Sequence, residues 1–95
     1  MTREEAISAA REVAAYLKQT HGATRVLLFG SCASGDFRPG HSDIDIYFEG
    51  IAPKDDCLVT GKTVMAFVDL DLDLWPETKA LPYLKEEIRK TGIVL

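Results

Sequence analysis

RVLLFGSCASGDFRPGHSDIDIYFE, residues 25–49, decides the fold. It opens on the apolar run Arg25–Phe29. A run of strand formers with no polar alternation predicts a short strand covered on both faces. Gly30, Gly35, Pro39 and Gly40 then make residues 30–42 a loop, with room for one helical turn after Ser31. Residues 43–49, DIDIYFE, alternate and predict a second strand.

Outward from this stretch the pattern is regular. Residues 2–20 predict a helix capped by Thr2, with Glu4 and Glu5 in its first turn, where the helix dipole favours negative charge. Ala6, Ile7, Ala10, Val13, Ala14 and Leu17 form its apolar stripe, and His21-Gly22 ends it. Cys57, Leu58, Gly61, Val64, Met65 and Val68 fit helical spacing, so a helix is expected over 54–66, although Val59, Thr60, Gly61, Thr63 and Val64 favour strand or turn. Residues 68–75, VDLDLDLW, alternate strictly and predict a strand with Asp69, Asp71 and Asp73 on one face. Pro76 ends it. A last helix is expected over 80–91, with Leu81, Leu84 and Ile88 inward and Gly92 as its stop. The order is helix, strand, loop, strand, helix, strand, helix. That is an α/β domain, a mixed sheet of three or four strands with helices packed on it, spanning residues 1–95.

Composition bounds the function. The chain has 95 residues, 46% hydrophobic and 27% charged, an ordinary globular mixture that excludes disordered and low-complexity classes. No apolar run approaches the roughly 18 residues of a membrane span, so no membrane role is expected. MTREEA lacks the features of a secretory signal, and a cytoplasmic protein is expected. Fifteen acidic against eleven basic residues give a net charge of -4, which argues against a DNA-coating protein but not against a nucleotide. Cys32 and Cys57 are expected as reduced packing thiols.

The chemistry concentrates in Gly30–Asp45. A Gly-Ser pair directly after a buried strand puts a backbone N–H and a hydroxyl where a phosphate can sit. Glycine there lets the chain approach closely. Asp43 and Asp45 are two residues apart on a strand, so both carboxylates point to one face and repel. A hard divalent cation such as Mg²⁺ offsets that repulsion with oxygen ligands. A third carboxylate on an adjacent strand would complete a site for two metals, and Asp69, Asp71 and Asp73 each offer one. Taken singly, a Gly-Ser is a turn and an Asp-Ile-Asp a solvated strand face. Their combination is what points to phosphate and metal.

Gly30-Ser31 followed by Ser42-Asp43-Ile44-Asp45-Ile46 resembles the signature of the DNA polymerase β-type nucleotidyltransferase superfamily, and of its minimal members most. Asp36, Arg38 and Pro39 fit the family's intervening loop, residues 72–76 its third-carboxylate strand, and residues 81–95 its terminal helix and tail. The resemblance implies that Gly30 and Ser31 contact the nucleotide's phosphates and that Asp43 and Asp45 bind metal. It favours Asp73 as third ligand or base, since residues 72–88 align with the family's ending without a gap; Asp71 and then Asp69 are the alternatives. It implies two Mg²⁺ ions and an NTP, ATP first, as substrate. Minimal members often pair, as antitoxins, with a small helical HEPN-type protein, and several adenylylate that partner on a tyrosine. The resemblance therefore implies transfer of AMP to a partner's hydroxyl. A chain this short leaves the acceptor site to another chain or to a homodimer. Two other readings stay open: a catalytically silent module that neutralises a toxin by masking it, and a small-molecule nucleotidyltransferase.

The sequence departs from the family at two places. Eleven residues separate Ser31 from Asp43, where many relatives in toxin–antitoxin pairs have ten, the extra one near Gly40-His41. Position 32 is Cys where relatives often carry a larger or basic residue, which would weaken a phosphate contact. Arg38 and His41 read first as solvated loop residues, Ser42 as a loop-orienting hydroxyl, and Trp75 and Tyr83 as core edge or partner contacts.

Overall fold

A computed structural model describes residues 1–38 and 43–95. Pro39, Gly40, His41 and Ser42, with the expectations attached to them, lie outside the described residues.

Helix α1 covers Arg3–His21 and is closed at both ends as its sequence asks. The Thr2 hydroxyl accepts from the Glu5 N–H at 3.1 Å, and the Thr2 N–H donates to Glu5 Oε1 at 2.9 Å, a reciprocal capping box. The backbone hydrogen bond from Thr2 holds the Glu5 carboxyl below its ordinary range. Gly22, at φ +78°, turns the chain out of the helix. Strand β1 is Arg25–Phe29 and β2 is Ile44–Glu49. The single turn α2, Ser31–Ser34, follows β1. A 3₁₀ turn at Pro53–Asp55 leads into α3, Asp56–Ala66. β3 is Leu72–Pro76, α4 is Pro82–Thr91 and β4 is Ile93–Val94.

The four strands form one mixed sheet in the order β3-β2-β1-β4. β1 runs antiparallel to β2 and β4, and β3 runs parallel to β2, reached through α3. Alternation sorts the strand residues onto two faces. Val26, Leu28, Ile44, Ile46 and Phe48 face the main core under α1 and α3. Leu27 and Tyr47 face a smaller core closed by Ala80 and Ile88. β1 is thus covered on both faces, as its unbroken apolar run predicts.

Four expectations need correction. The strand expected over 68–75 begins only at Leu72; residues 67–70 turn, with the Leu70 N–H donating to the Phe67 carbonyl at 3.0 Å. Asp69 therefore does not share the strand face of Asp73. Leu81, expected inward, is 58% exposed. It is the residue before Pro82, held extended at ψ 151°, and so falls outside the helical register. Cys57, expected as a packing thiol, is exposed. α3 forms where expected, but Leu58, Val64, Met65 and Val68 of its apolar spacing are exposed, and its buried residues are Asp56, Val59 and Thr63. Thr63 Oγ1 donates to the Val59 carbonyl one turn back, and Thr78, brought in from the segment after β3, donates to Asp56 Oδ2, while Asp56 Oδ1 is buried with no hydrogen-bond partner among the described residues.

On the second face α4 is fastened by charge. Arg89 Nη2 donates to Glu49 Oε2 at 2.8 Å, and the Tyr47 hydroxyl donates to the same oxygen at 2.5 Å. Burial pushes the Tyr47 hydroxyl up. Burial works against the Glu49 charge, yet the Tyr47 and Arg89 hydrogen bonds hold its carboxyl below the ordinary range.

Candidate active site

The site is built where β1 ends. Gly30 has φ +72°, a region open to glycine and costly for other residues. A Cβ at Gly30 would overlap the Asp45 carboxylate, meeting Oδ2 first. Glycine is thus required twice, once by the backbone and once by the neighbouring strand. The Gly30 carbonyl accepts from the Ala33 and Ser34 N–H groups at 3.2 and 3.0 Å, which winds α2 immediately after the strand.

Arg3 of α1 pins that turn from behind, donating to the Cys32 and Ala33 carbonyls at 2.8 and 3.2 Å. Cys32 is fully buried in the main core, and burial pushes its thiol up. Its side chain turns inward to the core. Ser31 is half-buried at the start of the turn.

The carboxylates come from the next two strands. Asp45 stands opposite Phe29 in the antiparallel ladder and opposite Asp73 in the parallel one. The Asp45 and Asp73 carboxyl groups share a hydrogen bond. Burial, then the charge of Asp73, that hydrogen bond and the charge of Asp43, push Asp45 up to about 6. Asp43 lies just before β2, exposed and two residues from Asp45, as the alternation predicts. Asp71 lies just before β3, its carbonyl accepting from the Ile44 N–H at 2.8 Å.

Gly30, Ser31, Asp43, Asp45 and Asp73 therefore lie at one end of the sheet, where β1 ends and β2 and β3 begin. Asp71 borders the group and Asp69 stands apart in its turn. Among the described residues no three His, Cys, Asp or Glu side chains are yet drawn into one metal-binding cluster. Asp45 and Asp73 are in contact, and Asp43 is close enough for its charge to act on Asp45. Their donors are all carboxylate oxygens, the set a hard divalent cation takes.

Two aromatic residues border the carboxylates. Phe29 and Trp75 make an edge-to-face pair, ring centroids 6.4 Å apart. The sequence reading gives Phe29 only a strand role. Its position one residue before Gly30, and the two-residue step from Asp73 to Trp75, are the signals that place them here.

Comparison with known proteins places the fold and the family. No curated protein matches the chain. A solved structure described as a candidate minimal nucleotidyltransferase superposes with a TM-score of 0.75 at 28% identity, over 100% of this chain and 97% of its own. A candidate nucleotidyltransferase from Sulfolobus solfataricus shares the fold, with a TM-score of 0.60 at 24% identity, over 97% of this chain and 80% of its own. The family model for the nucleotidyltransferase domain matches residues 10–95. With that match, and a fold shared end to end with a minimal relative, this chain belongs to the nucleotidyltransferase domain family as one of its minimal members.

Proposed function

We propose that this nucleotidyltransferase moves AMP from ATP to a hydroxyl on a partner protein, using Mg²⁺ held by Asp43, Asp45 and Asp73. The observation that carries the reading is the pairing of Asp45 with Asp73 directly beneath Gly30. Carboxylates forced together in this way favour a cation between them, because each disfavours the other's charge. When bound, two such ions supply charge neutralisation to the triphosphate and activation of the attacking oxygen.

The chain's own residues do the rest. Gly30 keeps the backbone bare for close approach of the phosphates, and the Ser31 hydroxyl donates to a phosphate oxygen. The acceptor oxygen attacks the α-phosphorus, the bond to pyrophosphate breaks, and Asp73 takes the acceptor's proton. Asp73 suits that role because it is the more exposed member of the pair. Asp45, half-buried, stays in place as ligand.

Following the family resemblance, the acceptor is a small helical HEPN-type protein in the cytoplasm, and the chain acts as its antitoxin. The test is incubation with Mg²⁺, each NTP labelled on the α-phosphate, and lysate of the source cells, beside an Asp43→Asn, Asp45→Asn variant. Label is expected on a protein band with ATP and the unaltered chain alone. Label that stays free with every NTP, or that moves equally with the variant, would contradict the reading.

A further inference from the structure

Helix α3 has its polarity inside out. Its buried side chains are Asp56, Val59 and Thr63, while Leu58 and Met65 are 58% and 74% exposed. At 3.6 residues per turn, Leu58 and Met65 stand opposite the buried row. Val64 and Val68 widen the exposed patch, at 43% and 68%. An open groove of about 610 Å³ runs along it, lined by Tyr16 of α1 with Cys57, Leu58, Gly61, Lys62 and Met65. Contiguous exposed apolar surface of this kind marks an interaction site.

We propose that this face pairs with the same face of a second copy of the chain, the two α3 helices running antiparallel about a twofold axis between Gly61 and Lys62. A twofold contact needs a face complementary to itself, and the sequence here is. About that axis Leu58 meets the partner's Met65. Gly61, where an added Cβ would find only open space, lets the helices come close. Lys62 lies across from the partner's Gly61, so its aliphatic stem covers the groove without meeting its own mate. Lys54, just before α3, faces the partner's Asp69, just after it. Both are exposed, and neither has an ion-pair partner among the described residues. A parallel pairing would set Lys54 against the partner's Lys54 instead. Charge complementarity therefore selects a second, antiparallel copy.

The patch lies on the side of the sheet that carries α1 and α3. Asp45 and Asp73 point to the other side, so both copies keep their carboxylates open. The pairing is small. An 11-residue helix and one tyrosine fall below the about 800 Å² per partner of a standard interface. The dimer is therefore weak, with a dissociation constant on the order of micromolar or above.

Sedimentation equilibrium of the full chain, from about 1 μM to about 1 mM, tests the pairing at low salt. Monomer is expected at the bottom of the range and dimer at the top. Met65→Glu should weaken association at least about tenfold, with a circular dichroism melt confirming that this exposed site leaves the fold intact. Lys54→Glu should weaken it severalfold, and Lys54→Glu with Asp69→Lys should restore it. A monomer at every concentration would overturn the proposal. So would a dimer indifferent to Met65→Glu, or a charge exchange that fails to restore. A chain that stays monomeric alone yet loses a different helical protein on Met65→Glu would also overturn it, giving the face to that protein.

Discussion

Asp45 and Asp73 are direct partners across the β2–β3 parallel ladder, and their carboxyl groups share a hydrogen bond. Two acids in that relation hold a proton together more easily than they hold two charges. The site's behaviour with pH, metal and mutation follows from this.

Asp45 is raised from 3.8 to about 6. The folded chain therefore binds a proton more tightly than the unfolded one. Its contribution to stability is complete below pH about 4 and is lost as pH rises through about 6. Asp45→Asn removes that loss. At pH 7 without metal the variant should melt higher, by about 4–8 °C if the relief is about 1 kcal/mol, and it should have no transferase activity. A thermal melt paired with the label-transfer assay checks both, and a lower melting point would contradict the assignment.

Metal and proton compete for the same carboxylates. At low Mg²⁺, activity should fall as pH drops through about 6. Raising Mg²⁺ should move that limb to lower pH. A limb that stays fixed at every Mg²⁺ concentration would separate the titration from metal binding.

Among the three candidate acids of residues 69–73 the structure ranks by place. Asp73→Asn should cut turnover by about 10²–10⁴, the range for loss of a positioned base. Asp69→Asn, in the turn before β3, should leave turnover within about threefold of the unaltered chain, as surface substitutions do. Asp71→Asn should fall between them. Steady-state rates of the three variants decide the order.

Gly30→Ala places a methyl group against Asp45 Oδ2 at a backbone angle that alanine disfavours. A cost of about 1–3 kcal/mol is expected, together with loss of activity. Denaturant unfolding beside the activity assay measures each.

Glu49 works in the opposite sense to Asp45. Its carboxyl is held low, with burial opposing and Tyr47 and Arg89 favouring the charge. Its stabilisation is present above the ordinary glutamate range and is lost as pH falls through the folded value. Glu49→Ala leaves Tyr47 and Arg89 without their shared acceptor and should cost roughly 1–3 kcal/mol while changing turnover little. Chemical unfolding at neutral pH gives the number.

Much of this was legible in the residues themselves. The bounds of β1, the cap on Thr2 and the stop at Gly22 follow from local chemistry, which acts within one turn or one strand. Asp43 and Asp45 are read from spacing because strand alternation fixes their shared side, and Gly30 and Ser31 because a Gly-Ser turn directly follows a buried strand. What needed the fold was orientation. Hydrophobic spacing in α3 predicts the helix but not which way Leu58 and Met65 point, since Thr63 can go inward on the Val59 carbonyl and Asp56 is met by Thr78, a partner only the fold brings to it. Alternation over residues 68–75 cannot show that the chain turns until Leu72, where pairing with Ile44 begins. β4 is two residues long, Ile93–Val94, too short for any pattern, and exists through its ladder to Leu27 and Leu28.

The most direct measurement is a count of Mn²⁺ bound per chain by electron paramagnetic resonance, with a non-hydrolysable ATP analogue present. Two ions are expected for the unaltered chain, and one or none once Asp45→Asn and Asp73→Asn are combined. Two ions retained by that double variant would contradict the assignment of this carboxylate pair as the metal site.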